Sequence, residues 1–372
     1  HSTNYTLCAM EPVLDGEDRI FANIKVTPDY KNVIQFISKL KNKLGASDIY
    51  SIECGYEAGC LGYSLYHQLT DAGVKCTILA PTTMLTPQSK RIKTDKRDAL
   101  MIAQCLSYGG YHAVHIPDEK DDSIKEYLRM RDDHQLVLKK IKQQITAFCL
   151  RHGHFYDGNK WTIKHREWLK TLQLSELYRE TLDEYMTTYE EQESKIERLD
   201  RRIEELASDS AYKEKVKKLG CLLGIKTHTA LSLIVETGDF KRFAKGNTYA
   251  AFLGLAPGES SSADNINRTG ISKAGNSHLR TLLIEGARGI CKGKIGHKSK
   301  DLRLRQAGNS AEVIAYADKA NVRLRSRYYK FMRHEKKKNV AVAAIARELA
   351  CFIWGMMTDN ISIAPRGKQN AA

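Results

Sequence analysis

Hydrophobic positions in the first hundred residues switch between the two-residue period of strands and the longer period of helices. Residues 5–13 and 20–26 predict two strands around a turn. A helix with an apolar face follows Pro28, residues 48–54 and 75–80 predict two more strands, and residues 62–72 and 94–106 predict helices. A hairpin followed by βαβ crossovers predicts an α/β domain, a mixed sheet with helices on its faces.

Beyond residue 120 the pattern becomes helical. Residues 124–150 carry apolar side chains on one stripe, and a heptad-like apolar seam begins at Tyr189. We interpret this region as a coiled-coil arm, used for dimerisation or folded on itself as a helical hairpin. Two short apolar helices joined at Gly224-Ile225-Lys226 then indicate a helix-hairpin-helix or an ordinary αα turn. The predicted domains are 1–120, 121–213 and 214–372.

The composition predicts that the protein binds a negatively charged partner. The 372 residues include 59 Lys and Arg against 44 Asp and Glu, a net charge of +15. Clustered cations on such a chain predict nucleic acid as the partner. None of the nine cysteines has zinc-knuckle spacing, so we expect a reduced, cytosolic protein. The apolar stretch 340–357 contains Arg347 and Glu348, which predicts a core helix rather than a membrane span.

Candidate chemistry concentrates first in the run from Lys93 to Asp98. In a helix, Asp95 and Asp98 fall on one face, close enough to share a metal ion. Carboxylates that hold Mg²⁺ beside cations that hold phosphates suit phosphodiester chemistry. A solvated helix start, with Asp near the positive end of the dipole, is the alternative. The surrounding candidate phosphate-binding residues are Lys90, Arg91, Lys93, Lys96 and Arg97.

Glu57 is the third candidate carboxylate. It lies just past the third predicted strand, and ligands in such sheets bind at strand ends. We therefore expect it to meet Asp95 and Asp98 there, with a surface turn as the alternative.

Two regions of the last third are candidates for contact with nucleic acid. Ser260, Ser261 and Ser262 open a loop rich in small residues and cations, where a serine can act as a nucleophile. A flexible turn is the alternative. A basic helix over residues 323–338, interleaved with aromatic residues, predicts a nucleic-acid-facing surface or a solvated face. The candidate contacts are Lys226, Arg268, Lys273, Asn276, Arg280, Arg323, Arg325, Arg327 and Lys330.

Together these motifs resemble the RuvC-like DEDD transposases of the insertion-sequence one-ten family, the bridge-RNA-guided serine recombinases. Tyr56-Glu57-Ala58-Gly59 resembles the family's Glu motif, and Lys93-Thr94-Asp95 with Arg97-Asp98-Ala99 resembles its paired-Asp motif. Gly254-Leu255-Ala256-Pro257, followed by Ser262 and residues 270–276, resembles its serine-bearing motif. The resemblance extends over nearly the whole chain.

The resemblance implies an RNase H-like (RuvC-like) domain in which four acidic residues bind Mg²⁺. Glu57, Asp95 and Asp98 match the last three. The family's first Asp ends the first strand, and the sequence given opens at His1-Ser2, so the resemblance places that Asp about two residues upstream. Asp15 is no substitute because it lies in the hairpin turn. The chain as given therefore holds three of the four ligands.

The resemblance also implies a mainly helical C-terminal transposase domain whose serine forms a covalent 5′-phosphoserine link with DNA. Ser262 matches that serine best, with Ser261 as the fallback. A structured non-coding guide RNA pairs with donor and target DNA, and a homo-oligomer, dimer or tetramer, forms a composite site in the prokaryotic cytosol. The leading hypothesis is thus an RNA-guided DNA recombinase. A metal-dependent RuvC-like nuclease or junction resolvase without a covalent intermediate, and a non-catalytic nucleic-acid-binding protein, are the alternatives.

Overall fold

The computed structural model describes residues 3–13, 15–45, 51–59, 61–84, 94–259 and 268–361, apart from the side chains of Glu259 and Arg268. The chain divides into two compact units, His1–Ile116 and Pro117–Ala372. The three-domain division given above stays a prediction. Outside the described residues lie the predictions made for Lys90, Arg91, Lys93, Ser260, Ser261 and Ser262.

The first unit begins with the predicted hairpin. Strand β1 (Tyr5–Glu11) pairs antiparallel with β2 (Arg19–Val26). Helix α1 (Tyr30–Leu44) follows, and the Asp29 side chain caps it by accepting a hydrogen bond from the Lys31 amide. Its buried residues recur at helical spacing, so one face packs against the unit's core: Val33, Ile37 and Leu40.

A parallel βαβ unit comes next, formed by β3 (Cys54–Glu57), α2 (Ser64–Asp71) and β4 (Cys76–Leu79). The predicted position of β3 was wrong. The strand begins at Cys54, and Glu57 is its last residue rather than a residue just past it. Gly55 permits this extension, because a Cβ there would lie 2.9 Å from Leu79 Cδ1 of the paired strand.

The strands of this unit form two separate pairs. Within the described ranges, no ladder joins β1–β2 to β3–β4, so the continuous mixed sheet expected from the sequence is not what these residues form. Helix α3 (Asp95–Tyr108) confirms the helix predicted over 94–106 and packs on β1. A parallel βαβ unit beside an antiparallel hairpin is consistent with an RNase H-like fold.

The second unit opens with a pair of long helices. Helices α4 (Glu119–Arg151), α5 (Ile163–Thr171) and α6 (Glu176–Ala207) follow one another. Arg131 pairs with Asp200, whereas the Phe148 ring lies 6.4 Å from the Tyr185 ring, so α4 and α6 run antiparallel. The predicted arm is therefore a helical hairpin within one chain.

Apolar side chains hold this hairpin together. Trp161 and Trp168 pack against the buried seam, and the Trp161 ring lies 5.1 Å from the Tyr189 ring. Both tryptophans thus contribute to the core of the arm. The seam includes Leu138, Ile145, Leu182, Met186, Tyr189 and Ile196.

Most of the remaining helices share one apolar core. Gly224 has φ +84°, and a Cβ there would lie 2.5 Å from the Gly286 carbonyl oxygen, so the turn before α8 packs directly against α10. The elements are α7 (Lys213–Gly220), α8 (Thr227–Thr237), α9 (Gly246–Phe252), β5 (Pro257–Glu259), β6 (Arg268–Ile271), α10 (Ser277–Cys291), α11 (Lys300–Gln306), α12 (Ala311–Arg333) and α13 (Lys338–Met357).

The last two helices test two of the predictions. Helix α13 is long and apolar enough to span a membrane, but half of its apolar window is buried, and it packs on α9, α10 and α12 as the predicted core helix. The single basic helix predicted over 323–338 was wrong. Helix α12 ends at Arg333, and α13 begins at Lys338 after a turn in which Glu335 adopts φ +54°.

Candidate functional site

The three candidate carboxylates line one cavity of about 1270 Å³ in the first unit. Asp95 and Asp98 lie in the first turn of α3, and Glu57 lies at the end of β3. Residues of β1 line the cavity with them. The three acidic side chains that the sequence singled out thus line the same cavity.

Hydrogen bonds fix the start of α3 beside the hairpin. The Thr94 hydroxyl accepts from the Arg97 amide at 3.4 Å, which caps the helix. Asn23 of β2 donates to the Lys96 carbonyl at 3.0 Å, and Gln104 donates to Asp18 at 2.8 Å. Asp95 and Asp98 lie in the first turn of this helix, at the positive end of its dipole.

The cavity offers the ligand type that Mg²⁺ prefers. The Asn4 side-chain oxygen lies buried at its wall without a hydrogen-bond partner in the described part of the chain. Over the same residues, no group of three or more His, Cys, Asp or Glu lies close enough to hold a metal ion. Since Mg²⁺ commonly uses one or two carboxylates, with water and substrate phosphates completing its shell, the donor chemistry fits an ion completed by substrate.

The serine motif belongs to the second unit. Strands β5 and β6 pair antiparallel, and residues 260–267 connect them outside the described ranges. The position of Ser262 therefore stays untested, as does the side chain of Arg268. We call the described residues on either side of this connection its base.

Close backbone contacts build that base. Gly275 has φ +95°, and a Cβ there would lie 2.1 Å from the Phe252 carbonyl oxygen. The half-buried Arg280 donates to the Leu253 carbonyl at 3.1 Å, and burial lowers its pKa. Arg280, predicted to contact nucleic acid, thus also fastens the base to the end of α9.

Asn276 ties the same base to a buried glutamate. Its side-chain oxygen accepts from the Leu279 amide at 3.0 Å, capping α10, and its amide nitrogen donates to Glu236 at 2.7 Å. Glu236 on α8 is 1% exposed and also accepts two hydrogen bonds from Arg129 of α4, at 2.8 and 3.2 Å. Asn276 therefore has a structural role that the sequence did not reveal.

His278 extends this network to a second carboxylate. Its ring nitrogens lie 2.5 Å from Glu236 and 2.8 Å from Asp132 of α4. Burial disfavours the imidazolium, but the hydrogen bonds to Asp132 and Glu236 outweigh it and raise the pKa of His278 to about 9. Burial also opposes ionisation of Glu236, yet hydrogen bonds from His278 and Arg129 lower its pKa to about 2. A charged imidazolium thus joins α4, α8 and α10 at neutral pH.

The interpretation of Arg325 as a nucleic-acid-facing residue was wrong. Arg325 is 6% exposed and donates to the carbonyls of Ile290, Lys294 and His297. These carbonyls lie at and beyond the end of α10, and the buried guanidinium supplies a donor to each of them. Arg325 follows Leu324 and precedes Tyr328 on the buried stripe of α12, a signal that the sequence did contain.

The other described cations reach solvent. Lys96 and Arg97 are exposed at the start of α3, and Lys330 is exposed on α12. Lys226 and Lys273 are exposed in the second unit. Their exposure leaves these side chains accessible to a polyanion.

Two family models match the chain. Residues 2–152 match a DEDD transposase model of IS110 elements, and residues 217–301 match the Transposase IS116/IS110/IS902 family model. A putative transposase y4qE of Sinorhizobium fredii is 34% identical over 303 residues, 81% of this chain and 74% of that protein. The transposase for insertion sequence element IS1533 of Leptospira borgpetersenii is 33% identical over 310 residues, 82% and 87% of the two chains.

A transposase domain of the DEDD type, with its acidic side chains around one cavity, makes this protein an enzyme that acts on DNA. The chain belongs to the IS110 family of insertion-sequence transposases.

Proposed function

We propose that this transposase is an RNA-guided DNA recombinase that cuts and rejoins DNA through a covalent phosphoserine intermediate. The observation that carries the proposal is the placement of Glu57, Asp95 and Asp98 around one cavity in a chain of this family. Its partners are donor DNA, target DNA and a structured non-coding RNA that pairs with both. It acts as a dimer or tetramer in the cytoplasm.

The carboxylates supply the first half of the proposed site. One or two carboxylates among Glu57, Asp95 and Asp98, completed by water and a substrate phosphate, would hold Mg²⁺, whose charge would stabilise the negative charge that develops on a scissile phosphate. The hydrogen bond that Asn23 donates to the Lys96 carbonyl, and the one that Thr94 accepts from the Arg97 amide, keep the start of α3 in place without the ion. The exposed Lys96 and Arg97 add charge that attracts the DNA backbone.

Ser262 supplies the second half. Its Oγ attacks phosphorus, so an Oγ–P bond forms while the bond from phosphorus to the DNA 3′ oxygen breaks. The serine gives up its proton, and the departing 3′ oxygen takes one up, so the step balances. The number of phosphate ester bonds is conserved, which lets a different 3′ hydroxyl reverse the step and join new strands. Hydrolysis would lose this bond.

The wider architecture is part of the same proposal. The first unit acts as the RuvC-like domain, the helical hairpin as an arm, and the last third as the domain that carries the serine. The turn Gly224-Ile225-Lys226 would present Lys226 and backbone amides to a phosphate, as in a helix-hairpin-helix.

A Ser262→Ala variant tests the proposal. Protein, Mg²⁺, donor DNA and RNA transcribed from the non-coding flank of the element are mixed and resolved on a denaturing gel. We expect wild-type protein to form a protein–DNA adduct and the variant to form none while still binding the RNA. Ser261→Ala is the matched control and should keep the adduct. Cleaved DNA without any adduct would instead support a hydrolytic nuclease.

A further inference from the structure

A groove of about 1640 Å³ lies in the second unit, lined by α9, α10, α12, α13 and the base of the β5–β6 hairpin. This volume exceeds the range of roughly 300–1,000 Å³ that is usual for small-molecule pockets. Its charged lining consists of six cations and one carboxylate, Glu348. The six cations are Lys245, Lys273, Arg288, Arg323, Arg327 and Arg347.

Glu348 holds two of these arginines in place. Its side chain is 12% exposed and accepts from Arg323 Nε and, at 2.9 Å, from an Arg327 terminal nitrogen. The two arginine side chains are 59% and 46% exposed. A guanidinium has five N–H donors, so each arginine retains donors for a ligand after pairing with Glu348. A pair fixed in this way loses less side-chain entropy when it binds a phosphate.

Another wall carries Arg347 beside the start of α9. An Arg347 terminal nitrogen lies 3.4 Å from the Asn247 side-chain oxygen, a neutral partner. Gly246 lets the two elements approach, because a Cβ there would lie 3.0 Å from Cys351 Cα. Lys245 is exposed next to this contact. Cations therefore line the groove from α9 and α13 as well as from α12.

The groove also reaches the serine hairpin, the antiparallel pair of strands β5 and β6. Pro257 of β5 and residues 269–271 of β6 line it, and residues 260–267 connect those two strands. A polyanion lying among these cations therefore passes the two strands that flank residues 260–267. DNA is the polyanion that a transposase cuts, which favours DNA over RNA for this position.

We propose that this groove binds the phosphodiester backbone of one DNA strand beside the serine hairpin, an inference that rests on the recombinase function proposed above. Arg323 and Arg327, oriented by Glu348, contact phosphates from α12. Lys245, just before α9, and Arg347 on α13 contact further phosphates.

The test removes two groove cations that have no carboxylate partner in the described structure, Lys245→Gln with Arg347→Gln. Binding of a 20-nucleotide single-stranded DNA is measured against salt concentration in full-length protein that also carries Ser262→Ala. Loss of two phosphate contacts should lower the slope of log affinity against log salt by about 1.4 and weaken binding about 25-fold at 0.1 M salt. Arg198→Gln with Arg201→Gln, an equal charge change on the exposed side of α6, should leave the slope unchanged.

Equal slopes for the groove variant and the Ser262→Ala parent would overturn the proposal. So would an equal loss in the α6 control, which would assign the effect to net charge alone. A loss of RNA binding with DNA binding intact would overturn the choice of DNA. Since binding is measured without the serine, a wild-type protein that forms no adduct would contradict the recombinase function and leave the groove assignment standing.

Discussion

The strongest stability prediction concerns His278, which lies between two carboxylates in the second unit. Replacing it with Gln leaves Asp132 and Glu236 facing each other without the cation that joins them. The folded protein binds the His278 proton more tightly than the unfolded chain does, because its pKa rises from 6.5 to about 9 on folding. This contribution to stability is therefore complete below pH 6.5 and is lost as the pH rises through 9.

The magnitude follows from that difference in pKa. Each factor of ten in proton affinity corresponds to about 1.4 kcal/mol, so the network contributes about 3 kcal/mol at pH 6 that is absent at pH 9.5. The His278 side chain is 17% exposed, which keeps solvent screening small. The surrounding ionisable groups are Arg129, Arg131, Asp132, His228 and Glu236.

Urea unfolding followed by tryptophan fluorescence measures the effect. All three tryptophans, Trp161, Trp168 and Trp354, lie in the second unit, so the signal reports on the unit that contains His278. We expect the advantage of wild type over His278→Gln to shrink by about 3 kcal/mol between pH 6 and pH 9.5. The exposed His334→Gln should match wild type at both pH values. An advantage that does not change with pH would refute the reasoning.

Two further substitutions, each compared with a control substitution, test the packing of the second unit. Gly275→Ala should destabilise the protein by at least about 2 kcal/mol in urea, because its φ is +95° and the Phe252 carbonyl occupies the space of a Cβ. Gly289→Ala, in open space on α10, should raise stability by up to about 1 kcal/mol, and a similar loss at both sites would contradict this. Arg325→Met should lower stability by about 2–3 kcal/mol, since the buried hydrogen bonds from the guanidinium to three carbonyls are lost, whereas exposed Arg323→Met should cost under about 1 kcal/mol. Equal losses for the two arginines would show that Arg325 is not a buried donor.

Local signals predicted most of the elements correctly. The Asp95–Asp98 spacing, the Thr94 cap and the apolar period of α3 all act within one helix, so the helix and the shared face of the two carboxylates follow from the sequence. Glu57 could be assigned to the same region because strand ends in a βαβ unit meet adjoining loops. The exact bounds of β3 could not be predicted. A glycine normally indicates the end of a strand, but Gly55 lies within β3, where the tight pairing leaves no room for a side chain.

Long-range pairings were beyond local signals. Glu236, His278 and Asp132 lie on three helices, and no spacing in the sequence links them. The same holds for Glu348 with Arg323 and Arg327. Charged residues look alike whether they face solvent or a buried partner, so Arg325 was assigned to the surface although its position on the apolar stripe of α12 pointed inward. The tertiary contacts determine which of these charged side chains remain available to bind nucleic acid.

The most direct measurement identifies the atom that carries the DNA after cleavage. Wild-type protein is incubated with Mg²⁺, donor DNA and the RNA from its element, the DNA is trimmed with nuclease, and peptides are analysed by mass spectrometry. A recombinase of the proposed kind carries a nucleotide 5′-phosphate on Ser262, and no other serine is modified. Cleaved DNA that bears a free 5′-phosphate, with Ser262 unmodified, would contradict the covalent mechanism.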